Sequence, residues 1–193
     1  MNHFDIKAGY KTRMDNSYFD DTPFEDKFQR PVYEHALAVL HRLGLRKVVD
    51  VGCGSGFKLL KFFSEYEAVG VDLPPTVAWL RQRYPMGHWV ENGAPNPHGE
   101  IVICSDVIEH LPNPDDLLDY IDACQPEVVV LSTPARELLP FKDTQDGPPR
   151  NVHHVREWTM AEFKTYIGRR WNVAHQFSTE VATQVVECYP RSK

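Results

Sequence analysis

The chain has 193 residues, a formal net charge of −6, 42% hydrophobic and 25% charged residues, the balance of a soluble globular protein with a substantial core. No apolar run approaches the roughly 18 residues that span a bilayer, and Met1–Asp5 lacks the basic-then-apolar pattern of a secretion signal. Cys53, Cys104, Cys124 and Cys188 are scattered through apolar contexts with no CxxC pair, which excludes a zinc knuckle and points to reduced thiols in a single cytoplasmic domain over residues 1–193. The basic pairs Arg81/Arg83 and Arg169/Arg170 fall at expected helix ends, where cations act as caps, so the acidic balance disfavours nucleic acid as a partner.

Residues 1–26, polar and aromatic with Tyr10, Arg13, Tyr18 and Phe19, read as an arm or lid. Apolar positions at Val32, Ala36, Val39, Leu40 and Leu43 predict a helix over 27–43, stopped by Gly44. An alternation follows. Strands are expected at 47–51, 68–72, 87–91, 101–104 and 128–132, with helices at 57–65, 76–84 and 115–123. Strands alternating with helices make βαβ units with right-handed crossovers. The stretch 134–158 is rich in proline and charge and long for a compact domain, the mark of an active-site loop. Thr159 with Glu162 three residues on is a capping-box pattern opening a helix over 159–167. Residues 171–177 and 181–189 read as a terminal antiparallel strand pair. The expected fold is therefore α/β, a doubly wound, Rossmann-like, mostly parallel seven-stranded sheet.

The most informative run is Val48-Val49-Asp50-Val51-Gly52-Cys53-Gly54-Ser55-Gly56. It reads as a buried strand ending in a turn whose backbone must approach a ligand closely, which glycine permits. A dehydrogenase fingerprint places its third glycine three residues after the second. Here Phe57 stands at that position and the third glycine comes one residue earlier. The spacing points to S-adenosylmethionine and away from a dinucleotide. Asp72, ending the second strand about 20 residues later, suits hydrogen bonds from ribose hydroxyls.

With these pieces the sequence resembles the class I S-adenosylmethionine-dependent methyltransferases. The resemblance is carried by Asp50–Gly56, by Asp72, by Ser105-Asp106-Val107-Ile108-Glu109-His110-Leu111 and by Leu131-Ser132-Thr133-Pro134, in that order over roughly 45–135. It implies that Asp50, Gly52 and Gly54, in the glycine turn that ends at Gly56, surround the methionine end of the cofactor. It implies Asp72 at the ribose and Asn92 beside the adenine. In members without a metal, Asp106 flanks the cofactor.

Methyl transfer to oxygen requires that the acceptor hydroxyl lose its proton, which calls for a base, a metal or both. Two clusters offer them. If 107–110 begin a helical turn, Asp106, Glu109 and His110 share one side of it, a donor set suited to a divalent ion. The second is His153-His154-Val155-Arg156-Glu157-Trp158-Thr159. Together they resemble the metal-dependent terminal 2′-O-methyltransferases of small RNAs. That family pairs Glu-x-x-Glu-His with a His four residues before a Trp-Thr helix start, and its four ligands hold Mg²⁺ or a similar ion. Catechol O-methyltransferases of the ubiquinone pathway share the acid-x-x-Glu-His part. The matching residues are Asp106, Glu109, His110 and His154, with Asp106 one methylene shorter than Glu. Without a metal, His154 or His153 is the candidate base. Trp158 reads as packing at a helix start.

The expectation is an O-methyltransferase acting on a hydroxyl of a small molecule or glycan, with divalent-metal assistance. The alternatives are an RNA ribose 2′-O-methyltransferase and a non-catalytic S-adenosylmethionine-binding module. Ser132-Thr133-Pro134 replaces the Asn-Pro-Pro-Tyr run of base amino-methylating enzymes, and Phe57 speaks against an NAD-dependent oxidoreductase.

Overall fold

The computed structural model describes residues 4–15, 17–26, 28–141 and 145–191. Residues 1–3 and 16 of the expected arm and 142–144 of the expected loop lie outside the described residues.

Helix α1 (Arg30–Leu43) starts with Pro31 in its first turn and ends at Gly44, whose φ of 70° lets its N–H reach the carbonyls of Leu40 and His41. It buries Val32, Tyr33, Ala36, Val39 and Leu40 along one stripe. The chain continues through β1 (Lys47–Val51), α2 (Phe57–Phe63), β2 (Glu67–Asp72), α3 (Pro74–Arg83), β3 (His88–Glu91), β4 (Ile101–Ser105), α4 (Pro114–Ala123) and β5 (Val128–Pro134). It closes with α5 (Met160–Gly168), β6 (Trp171–Ser178) and β7 (Thr183–Pro190).

The seven strands run in the order β3-β2-β1-β4-β5-β7-β6. The first five pair in parallel, and β7 is antiparallel to both β5 and β6. The sheet thus has the mixed, mostly parallel form that the sequence predicts. Side chains from β1, β4 and β5 alternate between two apolar layers. Val48, Ile101, Ile103 and Val130 pack under α1–α3, while Val49, Val102, Val129 and Leu131 pack under α4 and α5. Helices on both faces leave the central strands with hardly a polar position.

Boundaries shift where local chemistry permits. Helix α3 begins at Pro74, two residues ahead of the expected start, because proline is tolerated in a first turn. Strand β5 runs on to Pro134 because β7 continues its ladder as far as the Pro134–Thr183 pair. No described helix is long and apolar enough to cross a membrane, and all four cysteines are free and buried.

The loop after β5 is drawn back onto the sheet end. An isolated bridge joins Ala135 to Trp158, and Trp158 is fully buried against Phe163 and Tyr166, its indole N–H donating to the Phe4 carbonyl at 2.9 Å. Arg136, also fully buried, donates to the Glu157 carbonyl at 2.8 Å and to both Glu162 oxygens at 2.9 and 2.8 Å, beneath the ring of Tyr10. A buried guanidinium is tolerated only with such pairing. Thr159 and Glu162 form the reciprocal capping box of α5.

Candidate active site

The strand order turns outward on either side of β1 and β4, and in doubly wound sheets ligands bind at that crevice beyond the strands' carboxyl ends. Two groups of side chains meet there.

The first surrounds the glycine turn. Gly52, Gly54 and Gly56 all have positive φ, at 76°, 51° and 66°, so each favours glycine for its backbone alone. Their surroundings differ. A Cβ on Gly52 would strike Val107, and one on Gly54 would strike the Asp21 carboxylate. A Cβ on Gly56 would meet Leu80 and Trp89, so close packing of the turn onto the core demands glycine there. Asp50 is wholly buried; Tyr33 donates to its Oδ2 at 2.8 Å, and its Oδ1 has no partner. Burial pushes its carboxyl up to about 7, against the opposing pull of Tyr33 and Lys58. Asp72 accepts from the Gly54 N–H at 2.8 Å and the Leu73 N–H at 2.7 Å, which fixes its carboxylate across the turn. Its burial raises its pKa in spite of those bonds. Asn92 follows β3, its N–H donating to the Asp72 carbonyl at 2.8 Å. An orphaned buried carboxylate oxygen beside a side-chain-free turn, with a second carboxylate held open by backbone donors, fits a ligand carrying both a cation and a ribose.

The second group lies past β4. The backbone does not form the regular helical turn expected at 107–110. Asp106 adopts φ 55°, and a short 3₁₀ turn follows at Ile108–His110. That turn separates Asp106 from its neighbours, and Ser132 donates to its carboxylate at 2.7 Å. Glu109 and His110 instead meet His154 from the loop, with one ligand atom of each within 4.8 Å of the other two. Three of the four residues expected as metal ligands therefore converge, and Asp106 stands outside the group.

Their partners fit a divalent ion. Glu109 is buried; Thr133 donates to Oε2 at 3.0 Å, while Oε1 has no partner. Burial and the neighbouring Asp106 charge push its pKa well up, the response of a carboxylate without a counter-charge. The His110 Nδ1–H donates to the His153 carbonyl at 2.9 Å, and burial lowers its pKa to about 4, so its imidazole is neutral. His154 Nδ1 bonds Glu157 Oε1 at 2.8 Å and Nε2 faces Asn151 Nδ2 at 2.9 Å. Since an amide nitrogen only donates, this pairing assigns the proton to Nδ1. Neutral imidazoles oriented by a carbonyl or carboxylate on the second nitrogen are the usual form of a histidine ligand. The His153 ring turns to the arm, with Nδ1 3.1 Å from Ser17 Oγ.

Sequence reasoning did not reach Tyr33, Arg136 or Asp21, all brought in by folding. Glu157, three residues after His154, lay within the quoted motif, but its role as the partner of His154 appears only in the fold.

A methyltransferase-domain family model matches residues 26–179. No curated protein sequence matches. Among solved structures, the chain is similar to the methyltransferase domain of a bacterial protein, CtHen1-C, at 19% identity and a TM-score of 0.64, covering 85% of this chain and 99% of that one. It is similar to magnesium protoporphyrin IX methyltransferase from Synechocystis PCC 6803 with bound SAH, at 17% identity and a TM-score of 0.59 over 84% of each chain. A SAM-dependent methyltransferase from Aquifex aeolicus aligns at 16% identity and a TM-score of 0.63, over 90% of this chain and all of that one. At these identities the likeness establishes the fold, and the family match covers β1–β6, the glycine turn and the residues on both sides of the crevice from 26 onward. The chain belongs to the class I S-adenosylmethionine-dependent methyltransferases.

Proposed function

We propose that this enzyme is a divalent-metal-assisted O-methyltransferase whose acceptor is a hydroxyl of a small molecule or glycan. The observation that carries this reading is the convergence of Glu109, His110 and His154 within 4.8 Å, together with a buried Glu109 oxygen that has no partner.

Glu109, His110 and His154 would hold the ion. Bound there, it supplies the Lewis acidity that lets a weakly acidic hydroxyl release its proton near neutral pH. The chain's own groups do the remainder. Thr133 and Glu157 keep the Glu109 and His154 side chains from turning away. The buried sheet end limits water around the reacting hydroxyl. With His154 on the ion and its Nδ1 proton on Glu157, His153 is the imidazole left to receive the proton; without an ion, His154 is a candidate as well. Asp50 and Asp72, with Gly52 and Gly54, support the donor's methionine and ribose ends, with Asn92 and Asp106 flanking them. Free buried thiols suit a cytoplasmic setting.

A second reading, methylation of an RNA ribose 2′-hydroxyl, is favoured by the same triad joined to the buried Trp158 and the capped Thr159. The surface charge weighs against it. Arg81 is bound to Glu91, Arg169 to Asp5 and Arg170 to Asp119, so three of these four arginines are already ion-paired.

The test is methyl incorporation from labelled S-adenosylmethionine into catechol, nucleoside and vicinal-diol glycan panels, with EDTA and Mn²⁺ add-back. Incorporation at oxygen that EDTA abolishes and Mn²⁺ restores supports the proposal. Turnover indifferent to EDTA, or a methyl carried on nitrogen, overturns it. Acceptor binding that falls steeply with salt selects the RNA reading.

A further inference from the structure

The N-terminal arm crosses both halves of the crevice. It is pinned at Tyr18, whose hydroxyl lies 2.6 Å from Thr76 Oγ1 at the start of α3, and at Glu25, whose carbonyl accepts from Lys58 Nζ at 3.1 Å. Asp26 pairs with Lys61 on α2. Between these pins, Asp21 presses its carboxylate onto Gly54, where a side chain of any size would displace it. Two residues earlier, Phe19 lies parallel to the His110 ring at 6.0 Å and tilted on His153 at 5.1 Å.

The seat of Asp21 is chemically unfavourable as it stands. It brings a third carboxylate to a turn already occupied by Asp50 and Asp72, with Lys58 as the nearby cation. No side-chain donor among the described residues reaches it. Its pKa is pushed up to about 6, first by burial and further by Asp72 and Asp20. What three carboxylates around one glycine turn do suit is a cation on the ligand.

We infer that Asp21 is a donor-binding residue, whose carboxylate receives the α-ammonium of the cofactor's methionine and so draws the arm down over the crevice. The arm then carries Phe19 onto the histidines of the acceptor side, which ties closure at the acceptor to occupancy by the donor. This rests on the family's cofactor and is independent of the acceptor and of the metal.

The experiment is calorimetry of wild type and Asp21→Asn with S-adenosylhomocysteine and with 5′-methylthioadenosine, which lacks the amino-acid moiety. Loss of a charge-assisted hydrogen bond predicts about tenfold weaker S-adenosylhomocysteine binding, with 5′-methylthioadenosine bound equally by both proteins. Hydrogen exchange over 17–26 should slow on S-adenosylhomocysteine binding in wild type and much less in the variant. Equal losses for both ligands, no loss, or tighter binding by Asp21→Asn each overturn the assignment; tighter binding would make the arm an inhibitor of its own cofactor site. The ligand-free variant should melt no lower than wild type, because it relieves repulsion. A lower melting temperature would mark Asp21 as structural and also overturn it.

Discussion

Cofactor affinity should rise with pH, in a way set by Asp50. In the ligand-free protein its carboxyl is pushed up to about 7, mainly by burial, with Asp72 and Asp21 raising it further and Tyr33 and Lys58 opposing them. A ligand that brings a cation to this turn needs the ionised form, so below the ligand-free pKa binding must first expel a proton. At pH 5.5 a group with that pKa is only about 3% ionised, so affinity should be roughly thirtyfold weaker than at pH 8.5. Asp21, up to about 6, adds up to about fourfold over the same range if its proton is expelled too. Fold stability runs the opposite way. A carboxyl whose folded pKa exceeds its ordinary 3.8 contributes stability that is fully present below that value and is lost as pH rises through about 7. The ligand-free protein therefore loses this contribution over the same interval in which it gains affinity. Calorimetry with S-adenosylhomocysteine across pH 5.5–8.5, in buffers of different ionisation enthalpy, reads both the slope and the protons released. Asp50→Asn should flatten the profile. A pH-independent Kd in wild type, tightening toward acid, or a slope in Asp50→Asn steeper than the roughly fourfold that Asp21 can supply would refute the reasoning.

Other perturbations separate the parts of the site. Tyr33→Phe removes the side-chain donor on Asp50 Oδ2; it should weaken cofactor binding about tenfold at neutral pH and move the midpoint of the affinity profile upward, both read in the same titration. Glu109→Gln should abolish Mn²⁺ binding measured by electron paramagnetic resonance. It should not lower the melting temperature of the metal-free protein, since burial and the Asp106 charge disfavour the Glu109 carboxylate there. Glu157→Gln should lower metal affinity by about 10- to 100-fold through loss of the carboxylate on His154 Nδ1, with cofactor affinity intact as the control. Trp158→Ala, which empties a fully buried indole site, should cost about 3–5 kcal/mol in denaturant unfolding.

How legible each part was depends on how far apart its components lie in the chain. The donor cradle is a backbone device. Three glycines at positive φ, an acid before them and another at the end of the next strand all follow from one close approach, so they appear in the sequence as a contiguous signature with one echo. Gly56 shows the limit of that reading: its conformation belongs to the turn, but Leu80 and Trp89, brought in by α3 and β3, decide why a side chain is excluded. The acceptor side is less legible for a geometric reason. The sequence names the residue types, but an α-helical turn and a 3₁₀ turn place position 106 differently relative to 109 and 110. Only the left-handed backbone at Asp106 reveals that its carboxylate goes to Ser132.

The arm lies at the far end of this scale, because none of its contacts is local. Tyr18 meets Thr76, Phe19 meets His110 and His153, and Asp21 meets Gly54. Aromatics and acids in a polar segment have no period to read, so the sequence yields a lid and no more. The proposed role of Asp21 implies an order of events. An arm that holds the donor's cation at Asp21 also lays Phe19 across the acceptor-side histidines, two residues away on a segment pinned at Tyr18 and Glu25. If Asp21 holds the donor as proposed, an acceptor would enter beneath or beside Phe19, a residue 39% exposed, and release of the product cofactor would call for that segment to lift. On that proposal, cofactor exchange and acceptor entry would share one moving part, and arm opening, instead of methyl transfer, would be the step that Asp21 and Phe19 control.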